Sequence, residues 1–146
     1  MKNTVNLCAI LLIFTLFSCS DYRKIVNGDD YQLKFELSNK LYDKAEFERS
    51  IVLFEQVYQH SPKTSEGELC YFRLADSYYK LEDYNMAGYY FNSFVERFPY
   101  SKKSENALFL KALCSVNNSP EFSLDQSETI IAINNVQQFV DVFPQS

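Results

Sequence analysis

Aromatic and small residues recur along this chain in a pattern that repeats at an offset of 37 positions. Phe35, Phe72 and Phe109 fall in register, as do Ser38, Ala75 and Ala112. Tyr42 aligns with Tyr79, Phe47 with Tyr84, Ser50 with Ala87, Phe54 with Phe91 and Pro62 with Pro99. In each of the first two units, the small residue of one helix precedes that of the next by 12 positions. The closing proline follows by another 12: Ser38, Ser50, Pro62, then Ala75, Ala87, Pro99. Proline lacks an amide hydrogen and constrains the residue before it, so each unit ends there. The spacing predicts helices at about 31–43, 46–60, 66–81, 84–97, 104–117 and 127–142. The third unit is stretched: Ala132 follows Ala112 by 20 positions, and Pro144 again follows by 12. The excess lies around Asn117–Leu124.

These spacings resemble the tetratricopeptide (TPR) repeat, a helix–turn–helix with small residues where two helices cross closely. The resemblance implies an all-α, right-handed solenoid of three helix–turn–helix repeats, at about 31–67, 68–104 and 105–146. Ser65-Glu66-Gly67-Glu68 reads as a capping box opening the third helix. Asp125-Gln126-Ser127-Glu128 reads as the cap of the last. Each helix pair buries its apolar face only by stacking on its neighbours. Phe54, Leu74, Tyr78 and Phe91 are therefore expected in the core.

Composition agrees with helices and excludes much else. The 146 residues hold only 3 Gly and 4 Pro, far too few turn formers for an all-β sandwich or barrel. Aromatic residues make up 16%, ample for a core, which argues against disorder. A net charge of −5 opposes nucleic-acid binding, since neutralising phosphates needs a basic face.

The first residues give an address. Lys2 and the amino terminus precede the apolar run Val5–Phe17, and small Ser18 follows, the layout of a secretory signal over 1–18. The run is too short for a spanning helix, which needs ~20 apolar residues. Leu16-Phe17-Ser18-Cys19 resembles the bacterial lipoprotein cleavage box. That resemblance implies that the Cys19 thiol carries a diacylglycerol and its freed amino group a further acyl chain. Two or more chains anchor stably where one binds marginally. The polar stretch 19–30 is expected as a tether from the membrane. Cys8 leaves with the signal, so only Cys70 and Cys114 could pair. A seven-residue offset along parallel helices separates them by ~10 Å, beyond disulfide reach. Two buried free thiols are expected.

No catalytic constellation assembles, and no metal or cofactor is expected. His60, the only histidine, sits at a helix end, where it complements the dipole and the last carbonyls. The pairs Asp29-Asp30, Glu46/Glu48 and Glu66/Glu68 read as solvated faces or dipole partners. The positions that line the concave surface of TPR domains carry Phe35, Asn39 and Tyr42, then Phe72, Asp76, Tyr79 and Lys80. Phe109, Leu113 and Val116 follow in the third unit. Aromatic rings flanked by amides and carboxylates suit an extended or aromatic-ended peptide. The same pattern is equally compatible with packing.

Four segments carry a more specific resemblance: Tyr84-Asn85-Met86-Ala87-Gly88-Tyr89-Tyr90-Phe91, Phe98-Pro99-Tyr100-Ser101, Ser119 through Thr129, and Gln138 through Ser146. With the lipobox cysteine, they resemble the BamD-type TPR lipoproteins of the outer-membrane β-barrel assembly machinery, in their Bacteroidetes-type version. The resemblance implies a non-catalytic adaptor anchored in the outer membrane with its domain in the periplasm. Its partners would be the BamA-like barrel subunit, other assembly subunits and unfolded outer-membrane proteins. Members of that family carry further TPR-like units, so the sequence is expected to be truncated after the third repeat. The competing reading is another periplasmic TPR scaffold that coordinates peptidoglycan or division enzymes. Such proteins share the Tyr-x-x-Ala and Phe-Pro-x-Ser patterns but not the insertion in unit three.

Overall fold

The computed structural model describes residues 21–120 and 125–146. The signal segment, Cys19 and four residues of the insertion lie outside the described residues. All six expected helices form: α2 Tyr31–Asp43, α3 Phe47–His60, α4 Ser65–Lys80, α5 Tyr84–Arg97, α6 Ser104–Asn117 and α7 Ser127–Val142. A short helix α1, over 21–26, precedes them within the stretch expected as a tether. Tyr22 docks it: the hydroxyl donates to the Arg49 carbonyl at 3.0 Å, and the Arg49 guanidinium lies 4.3 Å from the ring centroid. There are no strands among the described residues. Each helix packs chiefly on the next in sequence, and α2 also touches α4, the arrangement of TPR-like helical repeats.

The small residues explain the close crossings. Ser38, Ser50, Ala75 and Ala87 have no exposed surface. The Ser38 and Ser50 hydroxyls donate to carbonyls of their own helices, Phe35 at 2.7 Å and Phe47 at 2.8 Å, so burying them leaves no donor unsatisfied. Phe54, Phe91 and Leu74 fill the space between helices as expected. Each fully buried side chain of this size contributes roughly 1.5–3 kcal/mol. Tyr78 is only half-buried, stacked on Tyr90 at 5.3 Å at the margin of the core.

The helix ends correct the expected caps. The residue that caps α4 is Thr64, not Ser65: its hydroxyl accepts the Gly67 amide at 3.0 Å. Glu68, expected to close that box, instead accepts the Ser101 hydroxyl at 2.6 Å. At α7 the cap residue is Gln126, and Asp125 accepts both the Ser127 amide at 3.0 Å and its hydroxyl at 2.7 Å. These bonds hold the Asp125 carboxyl below its ordinary range.

The turns inside the first two units share one geometry. Ala45 and Glu82, equivalent in the repeat, adopt φ of 59° and 61°. The following amides reach back five residues, Glu46 to Leu41 at 2.9 Å and Asp83 to Tyr78 at 3.0 Å. Together with the Ala45–Tyr42 and Glu82–Tyr79 bonds they form Schellman caps, which glycine usually occupies. Here L-residues hold the left-handed position, so the chain turns without glycine.

Candidate functional site

The aromatic stripe of the first helices repeats in detail. Tyr42 meets Phe47 edge-on at 5.6 Å, and the equivalent Tyr79 meets Tyr84 edge-on, also at 5.6 Å. These pairs join the two helices of each unit just before its tight turn. Phe35, Tyr42, Phe72 and Tyr79 are all half-buried against the core.

Between units, the polar members of the stripe bond to one another. The Tyr42 hydroxyl of α2 donates to the Asp76 carboxylate of α4. One turn away, the Arg73 guanidinium donates to the Asn39 side-chain oxygen and lies 4.9 Å from the Tyr42 ring centroid. The Asn39 amide donates in turn to the Phe35 carbonyl at 2.7 Å. Burial, first, and then the bond to Asp76 push the Tyr42 hydroxyl well above its ordinary value, so it stays a donor. Asp76 is only 9% exposed.

The structure thus brings Asn39, Tyr42 and Asp76 together and adds Arg73, which sequence reading had not singled out. Phe72 is committed to packing, edge-on to Phe91 at 5.7 Å and to Phe94 at 5.4 Å. The Lys103 ammonium, 5.7 Å from its centroid, lies over the same ring. Lys80, Phe109 and Val116 are exposed, whereas Leu113 is half-buried. Phe109 contacts Phe139 of α7 at 5.4 Å and shares with it a cleft of about 390 Å³, lined also by Lys102, Glu105 and Asn106.

The remaining reactive groups are inert in character. Cys70 and Cys114 are buried free thiols, as expected, and burial above all pushes each up to about 12. His60 ends α3 with its ring stacked on Tyr31, centroids 3.7 Å apart at 7°. Among the described residues no helix is long and apolar enough to cross a membrane.

No curated protein matches the chain. A family model does: that of the YfiO outer membrane lipoproteins aligns with residues 30–146. The match spans every repeat, from the cap of α2 to the end of the sequence. It places the protein at the outer membrane, lipid-anchored, with its helical domain in the periplasm. On that match, the chain belongs to the YfiO outer membrane lipoprotein family.

Proposed function

We propose that this chain is a BamD-type subunit of the outer-membrane β-barrel assembly machinery: a non-catalytic adaptor, Bacteroidetes-like in sequence, that receives unfolded outer-membrane proteins and contacts a BamA-like barrel subunit. The observation that carries this reading is the family match over residues 30–146, which includes the insertion of unit three. Cys19 would hold the lipid anchor, following a signal peptide over 1–18, with 19–30 linking anchor and domain.

The stripe of the first helices supplies the binding surface in this reading. The bonded set Asn39, Tyr42, Arg73 and Asp76 fixes a polar floor in advance, so binding loses little further side-chain freedom there. Lys80 offers a cation to a chain terminus, and exposed Phe109 offers a ring to an aromatic end residue. Phe35 and Tyr79 contribute their half-buried ring edges, whereas Phe72 is taken up by Phe91 and Phe94. An extended segment ending in an aromatic residue matches these elements.

Crosslinking in intact membranes followed by pull-down of the full chain tests the reading. Recovery of a BamA-like barrel subunit is expected. Recovery of peptidoglycan or division enzymes alone would replace it with the cell-wall scaffold.

A further inference from the structure

The stretch from residue 21 to the start of α2 is folded onto the domain and does not hang from it as a free linker. Tyr22 ties the first turn of α1 to α3 by donating to the Arg49 carbonyl at 3.0 Å, with the Arg49 guanidinium 4.3 Å from its ring centroid. Lys34 of α2, only 4% exposed, ties the last turn: its Nζ donates to the Val26 carbonyl at 3.0 Å. The Gly28 amide then donates to the Ile25 carbonyl at 3.1 Å, and the Asp30 carboxylate caps α2 by accepting the Leu33 amide at 2.9 Å. Bonds to two different helices, one at each end of α1, fix both its place and its rotation.

With Tyr22 and Val26 engaged by the domain, Asp21, Lys24 and Ile25 share another stripe of α1, since residues three and four apart are neighbours on a helix. Together with Gly28 and Leu33 they line an open, largely apolar groove of about 370 Å³. Leu33 is 42% exposed there, and Ile25 is half-buried. The position of Cys19 says what this groove meets. Cys19 precedes Asp21 by two positions, so at most ~7 Å of chain separates the two. The headgroup layer of one leaflet is itself ~5–8 Å deep. An acyl-bearing Cys19 at the boundary of headgroups and chains therefore sets α1 in or directly on the headgroup layer.

We propose that the groove between α1 and α2 docks on the lipid bilayer, with Ile25 and Leu33 entering the boundary between headgroups and acyl chains. This contact rests on the reading that Cys19 carries the anchor. Lys24 lays its methylene stem along the same surface and presents its ammonium to lipid phosphate. Asp21 and Asp29, also in the lining, offset that charge, so the contact is apolar in origin and needs no anionic lipid. The anchor makes docking intramolecular, and a short link supplies lipid at a high effective concentration, so a small contact suffices. The repeats are then held in one orientation to the membrane, where a flexible linker would let them swing.

The full chain, expressed with its signal, purified from membranes and reconstituted in phosphatidylcholine vesicles, tests the contact. A bimane fluorophore is attached to Asp29→Cys in the groove or, as a control, to Lys44→Cys, exposed at the far end of α2. Lys44 lies 11 positions beyond Leu33, roughly 16 Å along the helix. Cys70 and Cys114 are buried and do not compete for the label. A nitroxide near the headgroup end of the lipid acyl chain serves as the quencher. Both labelled chains should float with the vesicles, and quenching at position 29 should exceed that at 44 by about twofold or more. Leu33→Glu should abolish the excess and leave flotation intact; an acid is favoured in the first turn of a helix, so α2 persists. Chains that fail to float overturn the anchor reading and this contact together. Flotation with equal or greater quenching at 44, or an excess that Leu33→Glu leaves unchanged, overturns the contact while the anchor stands.

Discussion

The Tyr42 hydroxyl donates to the Asp76 carboxylate across 34 positions, whereas the repeat equivalent of Tyr42 is Tyr79, at an offset of 37. Neighbours in space are therefore one helical turn out of step with equivalents in sequence. The Arg73–Asn39 bond has the same offset of 34. Two units are locked together by a polar pair on each of two adjacent turns.

Removing the donor of that lock leaves a buried carboxylate short of a partner. Tyr42→Phe should destabilise the fold by about 1–3 kcal/mol. Asp76→Asn in the Tyr42→Phe background should cost less than in wild type, because the two positions are coupled. Urea denaturation of the four chains measures both quantities. A purely additive cycle would mean that the hydroxyl and carboxylate do not interact.

Two glycine exchanges should act in opposite directions. A Cβ on Gly67 would lie 2.0 Å from the Ser61 carbonyl oxygen, so Gly67→Ala must displace the loop before α4. A loss of about 1–3 kcal/mol is expected, as for other overpacked sites. Ala45→Gly relieves a left-handed residue at φ 59°. It should be neutral or stabilising, by up to about 1 kcal/mol, despite the greater freedom of glycine in the unfolded chain. Thermal melts distinguish the two signs.

Alkaline pH should weaken the fold. Burial raises Cys70 and Cys114 from 9.0 to about 12, and it raises Tyr90 from 10.0 to about 12. Between the unfolded and folded values the native state binds more protons, so stability falls as pH rises. The contribution is complete below pH 9 and is lost progressively toward pH 12. Melting temperatures across pH 8–11 should decline, and the decline should be shallower in Cys70→Ala. The same burial should leave both thiols unmodified by alkylating reagents until the protein unfolds.

The anchor is tested in cells. Metabolic labelling with a fatty acid should mark the wild-type chain and not Cys19→Ala. Equal labelling of the two would place the lipid elsewhere.

The helices were legible because small residues and proline recur at intervals of 12 in the first two units, and again between Ala132 and Pro144, which sets both helix length and crossing point. That Cys70 and Cys114 stay unpaired was legible from their seven-residue stagger, whereas their inertness comes from burial. Arg73 was not, because its partner Asn39 lies at the spatial offset of 34 and not at the repeat offset. The turns at Ala45 and Glu82 escaped sequence reading because neither residue advertises a left-handed conformation. The capping boundary at Thr64 slipped by one position because hydroxyl residues stand at both 64 and 65. Phe72 reads like its repeat equivalents Phe35 and Phe109, and only tertiary packing between Phe91 and Phe94 separates it from them.

The central claim, that the stripe of the first helices receives unfolded barrel proteins, is tested most directly by site-specific photocrosslinking in growing cells. A photoreactive residue is placed at Lys80 or Phe109 on the stripe, and, as a control, at Tyr89, which is 62% exposed on α5. The account predicts adducts with nascent outer-membrane barrel proteins from Lys80 and Phe109 and none from Tyr89. Equal adducts from all three positions, or adducts only with cell-wall enzymes, would contradict it.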